Sequence, residues 1–337
     1  MKKVLLFFVS LFVGIALFVG VIRFVGWEEI GFSLRIFTGW QGLVIFCLSL
    51  LVLFFGMWKW KIILKSQGYD IPKRKLIAPY LAGFSLIYLF PMLILGGEIF
   101  RSYILKEKFN MPLRKGIVSV AIDKILEGTS FLVAIIVGTV FFLLKIGLPP
   151  KNLTILLGLV TLSLSALTGF FYFKSFKKQS IAKIFTKIAK KNRFLNGEVL
   201  EIEKEIFRFF RANKRAFWEG MGLAFVRVAV TWARCWLLIF FLGKTVGAFS
   251  ALSILGFYYF VLFIPITAAL GTHEVIQTFS FSALGIGAGL APVFTMIQRA
   301  AEVAVALVGI VLFFRYGVGL IKTVLFRKMG GLLGKEE

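Results

Sequence analysis

The sequence is poor in the residues that build metal centres and redox sites. Its 337 residues include two cysteines and one histidine. Cys47 and Cys235 both fall inside apolar runs, with no CxxC pair, so a disulfide framework and a thiolate metal site are excluded. His273 lacks the further nitrogen or thiolate ligands that a zinc site needs. It reads either as a proton relay or as a polar residue in a turn. No GxxxxGK[ST] run is present, so no P-loop nucleotide site is offered. No DxD run is present either. Negative charge is scarce, with 16 acidic residues against 40 basic ones and a net charge of +24.

What is abundant is apolar surface. Hydrophobic residues make up 59% of the chain, against about 45–50% in a soluble domain. The mean hydropathy is +0.91. Several apolar runs exceed the roughly 18 residues that mark a transmembrane helix. In such a chain the basic excess reads as the positive-inside signature and as attraction to anionic headgroups, not as a nucleic-acid surface.

Clean spans are expected over 4–22, 40–58, 118–144, 153–173, 217–242 and 289–314. The start, MKKVLLFFVSLFVGIALFVGVI, is too long an apolar run for a signal peptide and reads as an uncleaved first helix. Basic residues cluster at Lys2–Lys3, Lys59–Lys75, Arg101–Lys115, Lys174–Arg215 and Arg315–Lys335. All five clusters share the cytoplasmic side only if 76–106 enters and leaves the membrane there and 251–287 does the same from outside. Both termini are then cytoplasmic, in the inner or plasma membrane. Pro91 and Pro265 mark the expected apices, and a kinked full helix is the competing reading of each segment. The basic loop 174–216 carries an amphipathic run, with Ile181, Ile184, Phe185 and Ile188 on one face.

The two halves repeat, about 40–144 and about 217–314 within a single membrane domain, 1–337. Pro91 leads to GGE at 96–98 and then IDKILE at 122–127; Pro265 leads to GTHE at 271–274 and then IQRAAE at 297–302. Twenty-nine residues separate Glu98 from Glu127, and 28 separate Glu274 from Glu302. One hairpin enters from each side, so the repeat is inverted, an arrangement that places transporter sites near the midplane. The expected fold is all-α: a polytopic transmembrane bundle with two re-entrant hairpins and an inverted-topology repeat.

Charges at membrane depth are costly and therefore informative. The candidate substrate-binding residues are Glu98, Arg101, Asp123, Lys124, Glu127, Arg227, Glu274, Arg299 and Glu302; Arg234 and His273 also lie at that depth. Lys124–Glu127 and Arg299–Glu302 have the i, i+3 spacing of helix ion pairs. Arg227 and Arg234 share one face and suit a carboxylate or a phosphate. Glu98 and Arg101 are expected to meet partners from the second half. A polar lining for a headgroup and a set of helix-locking ion pairs both fit these residues.

The proline with GGEIFR, the charged helix IDKILE, and the second set of Pro265, Gly271, Glu274 and Arg299 resemble the membrane region of the lysylphosphatidylglycerol synthase/flippase family, also found as stand-alone UPF0104-type proteins. The resemblance covers nearly the whole chain. The second turn, PITAALGTHE, is less rich in proline and glycine than the family's, and DK-xx-E stands where ER-xx-D is frequent. The resemblance implies lipid translocation without lysyl transfer, since the synthase is a separate soluble domain. Arg101, Arg227 and Arg299 would hold phosphate, and the glutamates would counter them or accept an amino headgroup. The substrate would be a phospholipid or polyprenyl-phosphate-type lipid with an anionic or zwitterionic headgroup. No cofactor, metal, catalytic residue or nucleic-acid partner is expected; a homo-oligomer or a pathway enzyme is a possible partner. An accessory subunit of lipid or envelope synthesis, and an integral glycosyl or acyl transferase, are the alternative functions.

Overall fold

The structure is a computed structural model that describes residues 39–89, 96–147, 151–181, 193–262 and 271–333. The expected span over 4–22, both proline apices and the amphipathic run beyond Ile181 lie outside these residues.

Ten helices are described: α1 (Trp40–Ser66), α2 (Lys73–Leu89), α3 (Gly96–Phe109), α4 (Leu113–Ile146), α5 (Lys151–Phe176), α6 (Arg193–Ala212), α7 (Lys214–Phe241), α8 (Ala248–Val261), α9 (Thr272–Ala283) and α10 (Leu290–Leu333). Five of them are long and apolar enough to cross a membrane: α1, α4, α5, α7 and α10. These helices are apolar nearly all round, as a helix between lipid and a protein core must be. The protein is a multi-pass membrane protein.

Four of the remaining helices pack as two hairpins. α2 has 17 described residues, about 26 Å of helix. α3, α8 and α9 are shorter still. α3 folds back along α2, so that Gly97 lies against the Gly83 carbonyl and Arg101 lies beside Tyr80. α9 folds back along α8 in the same way: Gln277 meets the Ile254 carbonyl at 3.3 Å, and His273 packs on Tyr258 with ring centroids 5.1 Å apart.

End-to-end contacts fix the directions. Trp40 opens α1 beside Phe241 at the close of α7, while Asn213, just before α7, bonds the Ser66 carbonyl at the end of α1. α1 and α7 are therefore antiparallel. Lys145 at the end of α4 bonds Ser250 at the start of α8, so these two are antiparallel as well. The path follows. The chain reaches the basic face along α1, dips in and out through α2–α3, and crosses away on α4. It returns on α5, runs along α6 and crosses away again on α7. It then dips in and out through α8–α9 from the far face and comes back on α10.

The packing obeys an exchange of halves, with α1 taking the place of α7, α2 of α8, α3 of α9 and α4 of α10. α4 packs on α8 as α10 packs on α2; α1 packs on α2 as α7 packs on α8; α1 touches α10 as α7 touches α4. Glycine permits the closest of these crossings. A Cβ on Gly138 would lie 2.7 Å from the Leu252 carbonyl oxygen, and Gly309 lies equally hard against Leu81 and Ser85. By contrast α5 is peripheral, with 6% of its apolar window buried. Two-faced α6 lays Phe207, Phe209 and Phe210 against α4 and α5, and Arg114 and Lys115 at the start of α4 hold it through Glu201 and Glu205.

Candidate functional site

Each half carries a charge cluster where its hairpin meets the following long helix. In the first, Glu98 stands in the first turn of α3, where the helix dipole favours a carboxylate. Its Oε1 lies 3.6 Å from Lys124 Nζ on α4, and Lys124 lies 3.3 Å from Glu127 Oε2 one turn along. Glu127 also pairs with Arg227 on α7. The second cluster repeats the hairpin glutamate–cation pair and the glutamate pair to α7. Glu274 stands in the first turn of α9, accepts the Gly271 N–H at 2.7 Å and lies 3.5 Å from Arg299 Nε on α10. Glu302, one turn beyond Arg299, pairs with Arg234 on α7 at 3.1 Å and accepts the Tyr258 hydroxyl at 3.0 Å. Gly271 has φ +84°, a conformation that suits glycine at this helix start.

Arg227, Glu127 and Glu302 fall near the middle of their membrane windows, Lys214–Phe241, Leu113–Ile146 and Leu290–Phe313. Both clusters lean on α7. Arg227 and Arg234 are separated by about 10 Å of helix rise. Thr231 lies between them, its hydroxyl bonded to the Arg227 carbonyl.

Burial divides the residues into sealed and open ones. Lys59 reaches Asp123 Oδ1 at 3.0 Å and the Asp123 carbonyl at 2.9 Å, and both side chains are 1% exposed. Arg101 meets Asp123 Oδ2 at 3.2 Å and lies beside the rings of Trp60 (4.0 Å) and Tyr80 (4.6 Å). Trp60 in turn donates to the Ser119 hydroxyl at 3.1 Å. This triad is a dry lock between α1, α3 and α4. Glu274, at 0% exposure, is equally closed. Glu127 is buried, whereas Lys124 is 42% exposed and Arg299 21%, and Glu98, Arg227 and Glu302 are partly open. An open charge at mid-span that faced lipid would be costly, so these side chains are better accommodated against a wet space between helices.

Three expectations change. Glu98 and Arg101 find their partners in Lys124 and Asp123 of their own half, not in the inverted half. An ion pair between the halves is formed by Glu127 and Arg227 instead. The ion pair recorded for Arg299 is with Glu274 and that for Glu302 is with Arg234, where their spacing suggests an i, i+3 pair. Lys124 and Glu127 do pair. Lys59, which its neighbours place in a basic surface cluster, is in the core. No spacing signals this, because its acid lies 64 residues away. Among the described residues no group of acidic, histidine or cysteine side chains could hold a metal ion.

No curated protein and no solved structure matches the chain. The family model for the lysylphosphatidylglycerol synthase TM region matches residues 7–309, a stretch that takes in both hairpins and both clusters, and the chain belongs to that family.

Proposed function

We propose that this protein moves a lipid with a phosphate-bearing headgroup across the membrane, as a flippase. The observation that carries the reading is the pair of equivalent, partly open charge clusters that meet at one helix. A headgroup phosphate fits the guanidinium of Arg227, beside the ammonium of Lys124, and Arg299 offers the same chemistry in the second half. Glu98, Glu127 and Glu302 keep these cations compensated while the site is empty and accept an amino headgroup when the lipid carries one. Acyl tails stay in the bilayer while the headgroup passes between the two clusters by way of Arg227 on α7. Asp123 and Arg101 hold the first hairpin in place. No covalent step is involved, and transport is passive or ion-coupled. The basic face is cytoplasmic, the termini lie on that side, and the membrane is the inner or plasma membrane.

The test is translocation of labelled phosphatidylglycerol and of a labelled polyprenyl phosphate by purified protein in liposomes, with and without ion gradients. Wild type moves one of them. Glu127→Gln and Arg227→Gln, checked for folding by thermal melting, lose at least about tenfold in rate, the equivalent of one charge-assisted contact of about 1.4 kcal/mol. If wild type moves neither lipid under any gradient, the flippase reading is wrong and an accessory role in lipid synthesis replaces it.

A further inference from the structure

A second amphiphile-shaped site lies outside the charge clusters. On the basic side, a groove with a cavity volume of about 560 Å³ opens between α1, the start of α2 and α7, lined by Trp58, Lys61, Lys65, Lys73, Glu219 and Gly222. Its mouth is cationic. Lys73 rests its ammonium 3.5 Å from the centre of the Trp58 ring and forms no ion pair among the described residues. Lys61 and Lys65 share one carboxylate, Asp70, at 3.3 and 3.9 Å. Glu219 is engaged by Arg215 at 2.8 Å. The groove therefore holds more positive charge than its own carboxylates compensate.

Deeper toward mid-membrane the same faces turn apolar. On α1, Leu51, Phe54, Trp58, Lys61 and Lys65 follow one another at helical spacing on one side, with Leu51 and Phe54 exposed. On α7, Glu219, Gly222 and the exposed Val226 do the same. Lys59, one residue from the groove's Trp58, faces inward to Asp123, so groove and triad lie on opposite sides of α1. A basic mouth at the interface, an aromatic wall and an apolar track beyond it match a phosphate, a glycerol level and an acyl chain in that order.

We propose that this groove binds the headgroup of an anionic phospholipid from the leaflet on the basic side. The site stands independently of the translocation reading: it is made of different residues, and its readout is binding at equilibrium. Gly222 provides a probe. A Cβ there meets nothing within 4 Å, so a side chain at this position starts into open space.

The experiment places the full chain in phosphatidylcholine nanodiscs doped with phosphatidylglycerol and measures bound phosphatidylglycerol by native mass spectrometry. Wild type enriches phosphatidylglycerol. Lys61→Gln and Lys73→Gln each weaken that enrichment by about fivefold, as expected for a lysine next to an anionic lipid surface. Gly222→Phe removes the groove's share of it with the charge unchanged, while Lys204→Gln on α6 leaves it intact. Wild-type enrichment in both lysine variants overturns the proposal. An equal loss in Lys204→Gln also overturns it, because the attraction is then diffuse. Displacement of the lipid by millimolar inorganic phosphate overturns the lipid assignment in favour of a free anion. If Gly222→Phe fails to melt like wild type, the two lysine variants decide alone.

Discussion

The two halves solve the same packing problem with different chemistry. In the first half, the contact between the opening helix and the charged helix is Lys59 on Asp123, with Arg101 of the returning hairpin arm on the other carboxylate oxygen. In the second half the corresponding places hold Cys235, Gln298 and Gln277: Gln298 Nε2 donates to Cys235 Sγ at 3.1 Å, and Gln277 is tied to the Ile254 carbonyl and Ser280. One half is locked by a buried charge triad and the other by neutral polar side chains. Both halves keep the pair of a hairpin glutamate with a cation on the following long helix, Glu98–Lys124 and Glu274–Arg299, and a second glutamate, Glu127 or Glu302, paired with an arginine of α7. A feature retained in both halves despite the cost of intramembrane charge is the better candidate for function, and one present in a single half is the better candidate for a structural lock.

Breaking the triad should have the largest effect. Asp123→Ala leaves Lys59 and Arg101 buried without their carboxylate and should cost about 3–5 kcal/mol, read as loss of a cooperative melt in detergent. Replacing all three, as Lys59→Met, Arg101→Met and Asp123→Leu together, should restore most of that stability; if it does not, the triad does more than lock helices. The glycine crossings come next. Gly138→Leu forces a side chain into the Leu252 carbonyl and should cost about 1–3 kcal/mol. Gly158→Ala on peripheral α5, where nothing lies within 4 Å, should stabilise by up to about 1 kcal/mol in the same melt. The neutral lock is weaker: Gln298→Leu gives up a bond to sulfur and should cost about 1 kcal/mol. A cost as large as that of Asp123→Ala would erase the distinction between the halves. Arg114→Ala removes exposed ion pairs to α6 and should change melting by less than about 1 kcal/mol, with a salt dependence that the triad lacks.

The open clusters were more legible in the sequence than the sealed lock. GGE and GTHE announce carboxylates in the first turn of each returning arm, and the matched spacing to IDKILE and IQRAAE announces their counterparts. Lys59 gave no such signal, since it sits in a run of surface lysines and its partner is remote. The mates of Arg227 and Arg234 were equally open, because several glutamates lay within reach of any plausible packing.

Composition was enough to determine an all-helical membrane protein and its five described spans, and charge placement favoured two hairpins of opposite sense over kinked full helices. Each of these follows from local hydrophobic length and from which loops are basic, quantities that need no knowledge of contacts. Tertiary structure alone decided which charges are sealed and which are open, and who pairs with whom. Ion pairing within a membrane is settled by which helix faces meet and how much water reaches them. In this protein both are set by the antiparallel packing of α1 against α7 and by glycine crossings far apart in the chain.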